Sequence, residues 1–362
     1  MYAYQHGGDI YTEKCTAQGK EFVDFSANIN PLGLPAGVKQ AVKDAIKNCV
    51  NYPDPFCRDL RAATAQYLQV PEEYLFFGNG AADVLFRLAL AAKPKRALLL
   101  APTFADYEKA LRSVGCICKD SQLQEDDNFT VTKNIVGKVS ARMDFIVICN
   151  PNNPTGQLTD RQYLERILMK CRMIGAKLLV DECFMDFVDE DKAFSMRDML
   201  AEYPELIILK AFTKTFAMPG IRLGYCMTSD MELLNALHQS GQDWSVSVLA
   251  QAAGIAALKE QDYLSESFQL IREERQYLIS ELKALGAKVY GSEANYIFFF
   301  LSEPVDLQAR LREQGYLIRS CANYHNLGSG YYRIAVKTRT LNKGLIKAIK
   351  EARKNASIIS ID

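Results

Sequence analysis

From about residue 74 the chain alternates short, wholly apolar runs with amphipathic stretches of helical spacing. "YLFFG" precedes "AADVLFRLALAA", "RALLLAP" precedes "TFADYEKALRSVG", and "DFIVIC" leads through "NPNNPTG" into "TDRQYLERILMKCRMIG". "KLLVDECFMDF" and "LIILKAFTK" continue the series. Runs apolar on both faces predict strands of a mostly parallel sheet covered by helices on both sides, an α/β arrangement. Between about 230 and 285 the pattern changes to long helical stretches, including "SESFQLIREERQYLISELKALG". After it, "KVYGSEANYIFFFL", "YLIRSCANY" and "YYRIAVK" alternate with helical segments and predict a smaller α+β unit. The opening residues contain the turn-rich "DFSANINPLGLP" and are expected to form an arm. The expected division is an arm over 1–45 packing on the small domain, a large domain over 46–240, and a helical connector with a small C-terminal domain over 241–362.

A length of 362 residues is enough to bury a sizeable core and to form two domains. Lys+Arg and Asp+Glu balance at 43 each, which gives no long-range field suited to nucleic acid or to an anionic membrane. The apolar runs are strand-sized and too short to cross a bilayer. "MYAYQHGGDIYTEKC" lacks a basic segment followed by an apolar one, so no signal peptide is expected and a cytoplasmic location is. Ten cysteines are scattered without CxxC spacing. They read as free thiols in a reducing compartment, with disulfides or a metal as the alternatives. The three histidines do not cluster, and no metal site is expected.

In parallel α/β sheets, ligands bind beyond the carboxyl ends of the strands. Those ends carry Gly78-Asn79-Gly80, "PTF" at 102–104, "NPNNPTG" at 150–156, Asp181-Glu182 and "TKTFAMPG" at 213–220. Gly78-Asn79-Gly80 at the start of a helix is either an anion cradle or an ordinary tight turn. "NPNNPTG" makes a rigid, irregular loop, whether for a ligand or only as a β–α turn with capping side chains. Asp181 ends an apolar strand, where a carboxylate is costly unless it is capped or meets a cation. Lys210 and Lys214 lie four residues apart between two apolar runs. A lysine, a buried acid, a phosphate cradle and a fixed asparagine together suit pyridoxal phosphate. That cofactor needs an amine for the imine, a carboxylate for its ring nitrogen, a phosphate site and a donor to its phenolic oxygen.

The order "GNG … NPNNPTG … DE.F.DF … TKTFAMPGIRLGY … YYRIAV" resembles the fold-type I pyridoxal-phosphate enzymes over essentially the whole chain. It resembles in particular the branch holding histidinol-phosphate aminotransferases and threonine-phosphate decarboxylases. "HGGDI", "DFSANINPLGLP", "NYPDP", "DWSVS" and "IRSCANY" are similar to the decarboxylases of cobalamin biosynthesis. Phe184 stands where the aminotransferases usually have tyrosine. The resemblance implies the fold-type I fold, with a large mostly parallel domain and a small α+β one, and a homodimer with shared active sites. It makes Lys214 the residue bonded to the cofactor, while Lys210, in the preceding strand, is expected to snorkel or pair at the surface.

By the same resemblance Asp181 holds the ring nitrogen, Asn153 donates to the phenolic oxygen and also meets the substrate, and Phe104 stacks on the ring. Thr213, Arg222 and the N–H groups around Asn79 and Gly80 hold the cofactor phosphate, which Tyr52 reaches from the other subunit. Arg333 clamps the substrate carboxylate, and Arg319, His6 and Asn30 are candidates for a substrate phosphate. The implied reaction is decarboxylation of L-threonine O-3-phosphate to 1-aminopropan-2-ol phosphate. The alternative is histidinol-phosphate-type transamination using 2-oxoglutarate and glutamate. A cofactor-sensing gene regulator of the same fold would need a basic DNA-binding segment ahead of "HGG", and the chain begins almost there.

Overall fold

In a computed structural model, the structure describes residues 6–12, 21–188, 194–302 and 306–359. The main sheet has seven strands in the order β2-β8-β7-β6-β5-β3-β4. They are β2 (Leu75–Gly78), β3 (Arg96–Ala101), β4 (Ile117–Gln122), β5 (Phe145–Cys149), β6 (Lys177–Asp181), β7 (Leu206–Ala211) and β8 (Gly224–Met227). β4, β3, β5, β6 and β7 pair in parallel, and β8 runs antiparallel to both β7 and β2. The apolar runs are buried along their length in β2, β5, β7 and β8, as the two-sided pattern requires.

Because β8 is reversed, its first residue lies beside the last residues of its neighbours. Gly224 pairs with Gly78 on one side and with Ala211 on the other. A Cβ on Gly224 would come within 2.3 Å of the Ala81 nitrogen, so only glycine lets the helix Ala81–Ala92 start hard against the sheet edge. The carboxyl ends of six strands and the start of β8 thus share one rim, and the chemistry-bearing loops hang from it.

The C-terminal part is built on a four-stranded antiparallel sheet, β12 (Arg319–Ser320), β13 (Tyr331–Ala335), β10 (Tyr296–Phe300) and β9 (Lys288–Val289). The helices Gln261–Ala284 and Arg339–Ile359 supply its own apolar cluster, with Leu278, Leu282, Leu345 and Ile349 fully buried. The 24-residue helix Gln261–Ala284 also sends Leu264 and Ile271 into the two clusters that flank the main sheet. Their spacing of about two helical turns keeps these residues near one face.

The arm is tied to this second sheet. β1 (Val23–Asp24) pairs in parallel with β11 (Tyr316–Leu317), and the Phe25 carbonyl accepts from Ala335 N–H at 2.8 Å. Phe25 is 0 % exposed within the C-terminal cluster. Phe25→Ala should therefore lower the unfolding free energy by about 3–5 kcal/mol, the usual cost of emptying a buried phenylalanine site. Denaturant melts would check this, and a change below about 1 kcal/mol would show that the arm is not anchored there.

Candidate active site

The rim encloses a cavity of roughly 300 Å³ with Lys214 on its wall. Lys214 sits in the short helix Phe212–Thr215 between β7 and β8, part of its surface open to the cavity. Burial, then the charge of Arg333, pushes its amine down to about 8. Asp181 ends β6 and is 7 % exposed. Its hydrogen bonds come from neutral donors, the Tyr107 hydroxyl at 2.5 Å and the Cys183 N–H at 2.9 Å. Burial raises the Asp181 carboxyl above its ordinary value, against those two bonds. The cavity thus has a nucleophilic amine within reach of neutrality and a carboxylate without a cationic partner. Phe104 lines the same cavity, edge-on to Tyr107 with ring centres 5.6 Å apart.

The three asparagines of "NPNNPTG" divide their work. Asn150 Oδ1 accepts from Thr159 N–H at 2.8 Å, and Asn152 bridges Pro102, Thr103 and Thr155. These bonds brace the loop, whereas Asn153 faces the cavity. Its Oδ1 accepts from Arg333 Nη1 at 2.5 Å, which leaves the amide NH₂ as the group to offer a ligand. Arg333 is 5 % exposed on β13, its Nη2 donates to the Ser26 carbonyl at 2.7 Å, and its buried Nε has no partner. Arg319 pairs with Arg333 in register across β12 and β13, so both guanidiniums enter from one face. Arg319 lies over the Tyr324 ring at 5.3 Å and donates to Asn323 Oδ1 at 2.8 Å. His6 also lines the cavity, with Nε2 3.1 Å from Asp106 Oδ1.

Three expectations need correcting. Asn79 N–H donates to Asp83 Oδ2 and Gly80 N–H to the Gly78 carbonyl, so neither is available to a phosphate. Ala81 and Ala82, in the first turn of the helix where backbone N–H groups have no partner within the helix, line the cavity with Thr213 and Arg222 instead. Gly80 has φ +84°, and a Cβ there would meet Arg222 Nη2 at 2.6 Å. Lys210 is not at the surface. It is 6 % exposed and paired with Asp186, which also accepts from Thr215 Oγ1 at 2.9 Å. Burial, the largest single effect, would lower the Lys210 amine, but the charges of Asp186, Tyr225 and Glu182 and the hydrogen bond to Asp186 together outweigh it, and the net shift is upward.

Asn30 does not line the cavity, since both ends of its amide bond to backbone. Tyr52, expected to act from the other subunit, lies outside its own chain's cavity. It is 80 % exposed and stacked on Trp244 at 4.6 Å.

Sequence reasoning missed Tyr107 and Asn28. Tyr107 follows Phe104 by three residues, a spacing that puts both rings toward one side of a helix start. Asn28, 2 % exposed, lines the cavity with an unpartnered Oδ1, two positions before the asparagine singled out instead.

The chain matches the family model described as aminotransferase class I and II over residues 20–349. It belongs to that family. It is 37% identical to a threonine-phosphate decarboxylase of Salmonella typhimurium, over 97% of this chain and 97% of that protein. It is 32% identical to a histidinol-phosphate aminotransferase of Caldanaerobacter subterraneus, over 90% of this chain and 92% of that protein. The crystal structure of the histidinol-phosphate aminotransferase from Clostridium acetobutylicum superposes with a TM-score of 0.85, at 29% identity, over 91% of this chain and 99% of that one. The mostly parallel sheet with its covering helices is the fold-type I architecture.

As a member of this class I and II family, the chain takes pyridoxal 5'-phosphate. The residues present fit that group. The cavity has an amine near neutrality, a carboxylate lacking a cation, and a glycine-lined helix start beside Arg222.

Attachment of the cofactor requires the unprotonated amine, so its rate in the apoprotein should rise with pH up to about 8 and level off above. Below that point the expected slope is about tenfold per pH unit. Lys214→Ala should abolish the borohydride-reducible bond to the cofactor. Lys210→Ala should keep it but lower stability by about 3 kcal/mol, the low end for orphaning one member of a buried pair. A reducible bond persisting in Lys214→Ala would put the attachment elsewhere.

Proposed function

We propose that the protein decarboxylates L-threonine O-3-phosphate to 1-aminopropan-2-ol phosphate, as a step of cobalamin biosynthesis. The observation that carries this reading is the pair of guanidiniums, Arg333 and Arg319, on one face of β13 and β12. A substrate carrying both a carboxylate and a phosphate needs two anion sites. A guanidinium suits each, because its planar fork binds such oxygens in a bidentate manner. The 37% identical relative over nearly the full chain supports the same choice.

Arg333 would take the carboxylate through Nε, which has no other partner, and Asn153 would add its NH₂. Arg319 and His6 would take the substrate phosphate, with Asn28 beside them in the cavity. Bound at Lys214, the cofactor supplies an electron sink conjugated to the substrate's α-carbon. Asp181 would hold the proton of its ring nitrogen, and Tyr107 holds Asp181 in place. Phe104 would stack on its ring, while Ala81, Ala82, Thr213 and Arg222 would hold its phosphate. Lys214 would serve as the general acid that gives a proton to the substrate's Cα after carbon dioxide leaves.

Tyr52 stands exposed on its own subunit, and in a homodimer the partner subunit's Tyr52 would complete the phosphate site. Among the described residues no helix is long and apolar enough to cross a membrane. The cysteines there are free, in keeping with a cytoplasmic enzyme.

Incubation with threonine O-3-phosphate should release carbon dioxide without any 2-oxo acid. Release of none, with glutamate formed from 2-oxoglutarate, would assign transamination instead. Arg319→Ala should weaken phosphorylated ligands by on the order of ten- to a hundredfold, for a lost charge-assisted bond of roughly 1.5–3 kcal/mol. Its effect on the unphosphorylated amino acid should be small, whereas Arg333→Ala should harm both ligands. Equal losses in Arg319→Ala would assign Arg319 to the fold or to the cofactor.

A further inference from the structure

The arm segment from Ser26 to Asn30 touches both ends of the site. At one end the Ser26 carbonyl accepts from Arg333 Nη2 at 2.7 Å, and the Asn28 carbonyl accepts from Asn295 Nδ2 at 3.1 Å. At the other, Asn30 N–H donates to the Lys214 carbonyl at 3.2 Å and Asn30 Nδ2 to the Thr215 carbonyl at 2.8 Å. The Leu32 N–H donates to Asn30 Oδ1 at 3.1 Å, which fixes the orientation of the amide. Asn30 is 2 % exposed and away from the cavity, so its amide serves only these backbone partners. From the opposite side Thr215 Oγ1 donates to Asp186 at 2.9 Å, and Asp186 pairs with Lys210. A single short segment therefore links the helix bearing the amine to the guanidinium that would bear the substrate carboxylate.

We propose that Asn30 is a positioning residue that sets Lys214 against the carboxylate held by Arg333 and so decides where the proton goes after carbon dioxide leaves. The inference rests on the reading of Lys214 and Arg333 given above. In a faithful turnover the bond from Cα to the carboxylate breaks, its electron pair stays with the carbon skeleton, and Lys214 protonates Cα. The products are carbon dioxide and the amine, and the cofactor keeps its aldehyde. With Lys214 displaced, the proton goes instead to the former aldehyde carbon of the cofactor. The amino nitrogen then stays with the cofactor and the substrate skeleton leaves as an aldehyde. Amino acid and cofactor aldehyde together give carbon dioxide, an aldehyde and the cofactor's amine form, with no outside oxidant.

The test uses Asn30→Ala and Asn30→Asp as holoenzymes with threonine O-3-phosphate. Aspartate keeps the acceptor for Leu32 N–H but loses the donor to Thr215, so both variants should behave alike. The fraction of turnovers that leave the cofactor in its amine form, measured by chromatography, should rise on the order of tenfold, with KM near the wild-type value. Simple loss of folded protein would lower total activity without moving that fraction. A second readout needs no substrate: the pH dependence of acylation of Lys214 in the full-length apoprotein, followed by mass spectrometry. Its midpoint should lie near 8 in the wild type and move upward in Asn30→Ala as water reaches the amine.

A wild-type partition in folded Asn30→Asp, or in both variants together with an unmoved midpoint, would overturn the proposal. If Asn30→Ala does not fold, the partition of Asn30→Asp decides alone. A wild type that releases no carbon dioxide would defeat the functional reading, and the acylation midpoint would then judge Asn30 by itself.

Discussion

The cavity holds charges of both signs that the fold does not let neutralise one another. Lys214 and Asp181 both lie at the rim of the main sheet, yet Asp181 is bonded to a hydroxyl and an amide N–H. The amine has the positive charges of Arg333 and Arg222 acting on it. Desolvation penalises each charge, and pairing them would be the cheapest relief for a protein without a ligand. Their separation is therefore a cost that only a bound group with complementary charge can offset. Lys210 is the contrast four residues upstream, a buried lysine given its own carboxylate and so kept protonated. The two lysines are alike in sequence and opposite in environment.

Three features of the backbone maintain that separation. The reversed strand β8 brings Gly224 against the start of the helix Ala81–Ala92, so the backbone of Ala81 and Ala82 faces the cavity beside Lys214. The loop after β5 is locked by Asn150 and Asn152, which frees Asn153 to face inward. β13 brings Arg333 in from the other sheet, where the arm and Asn153 together satisfy two of its three nitrogens. Each element alone is ordinary. Together they line one cavity.

Much of this was legible in the sequence. The two-sided apolar runs mark a covered sheet, and strand ends are where its ligand residues must lie. The failures share one cause: a side chain's partner is set by the path of distant backbone. Lys210 reads as a surface residue because nothing local reveals Asp186, which lies 24 positions away. Asn79 and Gly80 look like phosphate donors until the turn itself takes up their N–H groups. Asn28 and Asn30 are indistinguishable in "SANIN", and only the course of the arm turns one toward the cavity and the other toward Thr215. Tyr107 meets Asp181 across 74 residues, a pairing no local period encodes.

The arm has a consequence for the order in which the molecule is made. Its bonds to Thr215, Asn295 and Arg333 span 185, 267 and 307 positions of the chain. The first of these partners leaves the ribosome long after the arm, and the last later still. The strands of the main sheet are all translated before β13, so they can pair while the arm has no C-terminal sheet to join. Contacts of such separation are also the slowest to close. Maturation of the reaction centre is thus a late event, and the nascent protein passes through a stage that has its sheet but not its chemistry.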